Sequence, residues 1–192
     1  MTRLANRRRP LALLAGAAAL LTLALVPAFA SGATIVMKAD KKGLRFVAPK
    51  SVAAGEELKV VNQSDPRKFG PHTFSLVTKG SLPKTPNARK RCFAKGHICR
   101  SIARWHGVKG NGPVKENPAE AGLAGWDTLG NNSREGDSWF TGNKPGTSFA
   151  QPVTFSPPVT AGATDTRIYF LCAIHPWMQG STVVTPSPVP TG

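Results

Sequence analysis

Near the C-terminal end, the run Cys172-Ala173-Ile174-His175-Pro176-Trp177-Met178-Gln179-Gly180 packs a thiol, an imidazole and a thioether into seven residues. All three are soft or borderline metal donors. A copper ion that cycles between Cu(I) and Cu(II) needs a compromise among them. Thiolate and thioether favour the reduced ion, and imidazole serves both states. Two His and one Cys in a plane, with a weak and long axial Met, make that compromise. The loop supplies only one of the two histidines. His72 is the candidate for the other, because it follows Gly70-Pro71 and opens an alternating stretch, so rigid backbone sets its direction. Each residue alone has an ordinary reading: an inert buried thiol, a core-filling methionine, a satisfied core histidine. Together they point to one copper per chain held by His72, Cys172, His175 and Met178, with no catalytic residues.

The elements that must position these four are strands. Ala33-Thr34-Ile35-Val36-Met37 is a β-branched run. Leu44-Arg45-Phe46-Val47 and Leu58-Lys59-Val60-Val61 are short strand candidates, punctuated by Pro49 and Gly55. Residues 72–77 alternate polar and apolar, the period of a half-buried strand. Further strands are expected at 152–155, 166–172 and 180–184. Many short strands with turns between them predict an all-β sandwich. There are no internal repeats.

With these residues and elements in place, the sequence resembles the cupredoxins, and its loop is most similar to the amicyanin and plastocyanin branch. That copper loop has Cys, two residues, His, then Met a few residues on, followed by Gly and a strand. Here these are Cys172, His175, Met178, Gly180 and residues 181–184. The two-residue gap filled by Pro176-Trp177 is amicyanin-like, and Pro71-His72 matches the family's first histidine at the head of a strand. The likeness covers about 31–78 and 148–185, 86 residues in all. It implies a Greek-key sandwich and a type 1 (blue) copper site. His72, Cys172 and His175 would be strong ligands and Met178 the axial one. It also implies a one-electron carrier in which the edge of His175 passes the electron. Pro176 and Trp177 would then be part of an apolar contact patch or ordinary loop packing. Copper oxidases and nitrite reductases usually place His beside the Cys to wire a second copper. The neighbours here are Leu171 and Ala173, so no enzyme activity is expected. The rival reading is a copper storage, delivery or protection protein without a redox partner.

The sequence departs from this family pattern twice. Thr73 stands where the family commonly has Asn, a residue that ties the two ligand loops together near the sulfur. Hydrogen bonding there tunes the potential. The second departure is an insertion at about 79–147, rich in Gly, Asn, Pro and Lys. Its best helix candidate is 87–105, divided at Gly96, and 107–146 reads mostly as loop. Cys92 and Cys99 lie on that candidate. On an unbroken helix they would stand ~10 Å apart along the axis, too far to bond, but a turn at Gly96 brings them together. In an exported chain the pair reads most simply as a disulfide. The sharper alternative is a second metal site from Cys92, His97, Cys99 and His106.

The first thirty residues read as a signal peptide. Arg3, Arg7, Arg8 and Arg9 precede an apolar run over 11–26, and Ala28-Phe29-Ala30 is a small-x-small cleavage site. The paired arginines also permit a twin-arginine route. The apolar run is shorter than the ~20 residues that span a bilayer, so a retained anchor is disfavoured. Cleavage leaves one domain at 31–185 and a Pro/Ser/Thr tail at 186–192 that is expected to be disordered. The expected location is periplasmic or extracellular. The mature chain keeps 21 basic and ten acidic residues, a net charge of +11. Twelve Lys or Arg and no Asp or Glu fall between Pro66 and Lys115. Such a field steers an acidic redox protein or anionic envelope surface, or it merely solvates a loop. Export argues against nucleic acid, and a monomer is expected.

Overall fold

The computed structural model describes residues 32–108, 125–154 and 166–186. The expected signal peptide lies outside the described residues, as does all of the expected tail except Pro186. Among the described residues, nine strands form two sheets. One has the order β2 (Gly43–Val47), β1 (Ala33–Asp40), β4 (Glu57–Asn62), β7 (Ser148–Pro152). The other has the order β3 (Ser51–Ala53), β9 (Gln179–Thr185), β8 (Thr166–Leu171), β5 (Thr73–Val77), β6 (Ser138–Phe140). Pairing is antiparallel except for β1 with β4 and β3 with β9. This is the all-β sandwich expected from the strand pattern, with the Greek-key form that the resemblance implied. Alternation in β1 and β4 sends Ile35, Met37, Leu58 and Val60 inward, fully buried. They meet Phe74, Leu76, Ile168 and Phe170 from the facing sheet in one core.

The insertion departs furthest from the sequence reading. Helix α2 (Pro86–Lys90) and helix α3 (Ile98–Trp105) flank a turn in which Gly96 takes φ 78°, so the expected division at Gly96 holds. A shorter helix, α1 (Pro66–Phe69), and a 3-10 turn (Lys79–Ser81) were not anticipated. Residues 109–124 lie outside the described residues, but 125–146 is no free loop. It supplies β6, which pairs with β5, and it places Trp126 and Trp139 in the main core. The Trp126 indole N–H donates to the Leu58 carbonyl at 3.1 Å. A three-residue strand is too short to show a period of its own, and its pairing with β5 alone makes it a strand.

The alternation in β5 was also misleading. Thr73, Phe74, Ser75, Leu76 and Val77 are all buried. Phe74 and Leu76 enter the main core, while Val77 joins a second cluster with Cys92, Ile98, Cys99 and Ile102. The polar face of β5 thus lies under the insertion and not in water. Strand β7 ends at Pro152, short of the expected 152–155, because Ser148–Pro152 is the stretch that pairs with β4.

Candidate metal centre

His72 is the most firmly held of the four expected ligands. The Asp65 carboxylate caps α1 by accepting from the Arg67 N–H at 3.0 Å, and Gly70 ends it at φ 75°. Pro71 then delivers His72. The His72 N–H donates to Thr141 Oγ1 at 2.9 Å, and the Thr141 N–H donates to the His72 carbonyl at 3.0 Å. The ring is fixed at its far nitrogen, where Nε2 stands 2.7 Å from Ser64 Oγ. Ser64 spends its hydroxyl proton on Asn62 Oδ1 at 2.7 Å, so Nε2 must be the donor. Nδ1 is left with a free lone pair. A partner that sets the tautomer of a ligating histidine in this way is what metal sites require.

The other three residues leave β8 together. The loop is closed by its own backbone: the Cys172 N–H donates to the Met178 carbonyl at 3.0 Å, and the Met178 N–H to the His175 carbonyl at 2.8 Å. Gln179 Nε2 donates to the Pro176 carbonyl at 2.6 Å and to Pro83 of the insertion at 2.9 Å. Gly180 is required by space, because a Cβ there would stand 2.2 Å from the Phe170 ring. Met178 is buried in the same core cluster as Cys172.

The fold brings three donor atoms face to face. His72 Nδ1 and His175 Nδ1 are 3.1 Å apart, and they lie 3.8 and 3.6 Å from Cys172 Sγ. A triangle with those sides has a circumradius of about 2 Å, the length of an ordinary metal–imidazole bond. The donor set therefore fits a single ion lying among its three atoms. No other group of three such donors occurs among the described residues.

Electrostatics agree with that use. Burial pushes the His72 pKa down to about 4, with the nearby His175 adding to the effect. Burial also lowers His175, against a backbone hydrogen bond with Phe69 that raises it. Both imidazoles are thus kept neutral and able to donate. Burial raises the Cys172 thiol, opposed by N–H groups of Thr73, His175 and Ile174 and by the Thr73 hydroxyl. A thiol of this kind gives up its proton to a metal ion, and not readily to water. Farther off, burial raises Asp137 to about 6, against hydrogen bonds from the Thr128 and Asp127 N–H groups.

Thr73 does part of what an Asn would do. Its N–H donates to Cys172 Sγ at 3.3 Å, and its Oγ1 accepts from the Ala173 N–H at 2.8 Å. The second metal site considered in the insertion does not form, because Cys92 and Cys99 are bonded to each other. Of its two histidines, His97 stands at the N-terminus of α3, and His106 turns inward to Ser138 Oγ at 2.8 Å. Sequence reasoning did not single out Ser64, Asn62, Thr141, Ser75 or Ser138. Thr141 meets His72 across 69 residues and Ser138 meets Ser75 across 63, separations that no local pattern marks.

No protein-family model and no curated protein matches the chain. Among solved structures it is similar to a purple cupredoxin from Nitrosopumilus maritimus, with 13% identity, 80% of this chain and 99% of that chain covered, and a TM-score of 0.34. It is similar to an auracyanin from Roseiflexus castenholzii, with 12% identity, coverage of 80% and 95%, and a TM-score of 0.37. It is also similar to plastocyanin from Dryopteris crassirhizoma, with 17% identity, coverage of 79% and 99%, and a TM-score of 0.30.

Proposed function

We propose that the chain is an exported type 1 copper protein that carries one electron at a time. The observation behind this reading is the triangle of His72 Nδ1, His175 Nδ1 and Cys172 Sγ, with the buried thioether of Met178 in the same loop. Bound copper would supply a one-electron couple. His72, Cys172 and His175 would hold it strongly and Met178 weakly. The chain's own part is to keep those donors still. His72 is clamped by Thr141 and Ser64, and the loop is tied across itself and to Pro83. Ligands that cannot move resist the change in geometry that each oxidation state would otherwise prefer.

The electron's exit lies beside His175. Trp177 is 51% exposed, and its ring meets the His175 ring edge-on at 5.1 Å. A shallow cleft opens there, lined by the apolar Pro86, Pro176 and Trp177 and the basic Arg89 and Lys90. That surface suits an acidic redox protein, reached by a monomer outside the cytoplasm after removal of residues 1–30. The same +11 charge would also favour an anionic envelope surface. No described helix is long and apolar enough to cross a membrane.

Copper reconstitution of the 31–192 chain tests the reading. The expected result is one copper per chain with an intense blue or green thiolate band. A colourless copper complex that cannot be reduced and reoxidised would favour storage or delivery instead.

A further inference from the structure

The outward face of β5 carries Thr73 and Ser75, side chains that a half-buried strand would show to water. The insertion covers them, leaving Thr73 2% and Ser75 0% exposed. A buried hydroxyl without a partner costs about 1–3 kcal/mol. Here each one bonds to the next. Ser75 Oγ donates to Thr73 Oγ1 at 3.1 Å, Ser75 Oγ and Ser138 Oγ are 2.7 Å apart, and Ser138 Oγ is 2.8 Å from His106 Nε2. Ser138 and His106 are themselves 0% and 1% exposed.

Counting protons gives the chain a direction. Ser75 has one hydroxyl proton and spends it on Thr73, so Ser138 must donate to Ser75. Ser138 has then spent its own, so His106 must donate from Nε2. At the far end, the Thr73 N–H donates to Cys172 Sγ at 3.3 Å, and Thr73 Oγ1 also accepts from the N–H of Ala173, the residue after the thiol. The side-chain donors therefore run from His106 to Thr73, the residue whose own N–H meets the sulfur. In a dry interior, hydrogen bonds aligned in one direction polarise one another.

We infer that His106 is a positioning residue for the metal centre, acting on the Cys172 thiolate through the aligned chain Ser138, Ser75 and Thr73. The inference rests on the copper reading above and gives the insertion a part in it, since His106 and Ser138 both belong to the insertion. A donor aimed at a thiolate withdraws electron density from it. That weakens its hold on Cu(II) more than on Cu(I), so the chain raises the reduction potential. Breaking the chain lowers it.

The variants are His106→Phe, which removes the donor, Ser138→Ala, which cuts the chain at a smaller side chain, and His106→Gln, which keeps a donor in place. His106→Phe and Ser138→Ala are expected to shift the Cu(I)/Cu(II) equilibrium toward Cu(II) by about threefold to tenfold, the worth of one net hydrogen bond. The thiolate absorption band should move in the same sense in both, and His106→Gln, which keeps a donor, should stay close to the unmodified protein in both readouts. An unchanged potential in both chain-breaking variants, or a His106→Gln shift as large as that of His106→Phe, overturns the inference. A second readout needs no copper. Nitrogen NMR of the metal-free chain should find the His106 proton on Nε2, slow to exchange. A bare Nε2 overturns the chain however the copper experiments turn out. Failure to bind copper at all would overturn the copper reading while the tautomer still decides the chain.

Discussion

The molecule holds two sulfur-and-histidine clusters that look alike in sequence and act differently in space. Cys172 and His175 lie three residues apart, and Cys92, His97 and Cys99 lie within eight. The clusters are also neighbours, since the Cys92–Cys99 pair packs against Leu171 and Ala173, the residues either side of Cys172. At the first, a lone buried sulfur faces two Nδ1 atoms, one of them brought from 100 residues away. At the second, the turn at Gly96 brings two Cα atoms to 5.1 Å and the sulfurs satisfy each other. The thiol beside His175 is thus left available to a metal ion because the fold denies it a second thiol and supplies a second imidazole, whereas Cys92 and Cys99 satisfy each other.

The largest test of this contrast is removal of the lone sulfur. Cys172→Ala should abolish the thiolate band and weaken copper binding more than about 100-fold, beyond the effect of losing a supporting hydrogen bond. Circular dichroism should still report the folded sandwich. A coloured variant would show that the metal lies elsewhere.

The matching change at the other cluster should do the reverse. Cys92→Ala with Cys99→Ala is expected to cost about 2–3 kcal/mol, as for a short loop, and to lower the thermal midpoint by about 5–10 °C. Copper stoichiometry should stay at one per chain. Loss of copper from that double variant would mean the two clusters are one functional unit.

A third difference is acid sensitivity in the metal-free chain. His72 has a folded pKa of about 4 against an ordinary 6.5. The unfolded chain therefore binds more protons between those values, and this group's contribution to stability is present above pH 6.5 and lost as pH falls toward 4. His175 shifts the same way. Urea unfolding should show a loss of about 2 kcal/mol over that window, and His72→Phe should flatten it. A stability independent of pH in that range would remove the physical basis for two neutral, facing imidazoles.

The smallest effect is expected at the basic residues beside the Trp177 cleft. Reversal of Arg89, Lys90 and Arg91 to Glu should slow electron exchange with an anionic partner by about threefold to tenfold at low salt. Added salt should slow the unmodified protein in the same way, since exposed charge reaches only about 8 Å at physiological ionic strength. The copper spectrum should not change. A rate insensitive to both treatments would leave docking to the apolar surface around Trp177.

Much of the sandwich could be read from the chain because alternation is a local property. β1, β4, β8 and β9 follow from their β-branched runs, with ends off by a residue or a few. β5 was legible as a strand, but its polar face was misassigned to solvent, since the cover comes from residues 98–105 and 138–140. β6 and the core positions of Trp126 and Trp139 were lost in a stretch whose composition reads as loop. Tryptophans scattered among Gly and Asn carry no period, and only the partners they meet in the core make them structural.

For the site, residue chemistry sufficed to nominate His72, Cys172, His175 and Met178. Three of them lie in one turn, and their donor types suit a single metal. The local spacing around Gly96 likewise sufficed to suggest the Cys92–Cys99 bond. What only the tertiary structure decided is how the donors are aimed. Ser64 chooses the tautomer of His72, Thr141 clamps its backbone, and Ser138 joins Ser75 to His106 across 63 and 32 residues. A hydrogen bond needs two partners within about 3 Å. When those partners are remote in the chain, strand pairing and packing set that distance, and neither residue's own neighbours reveal it.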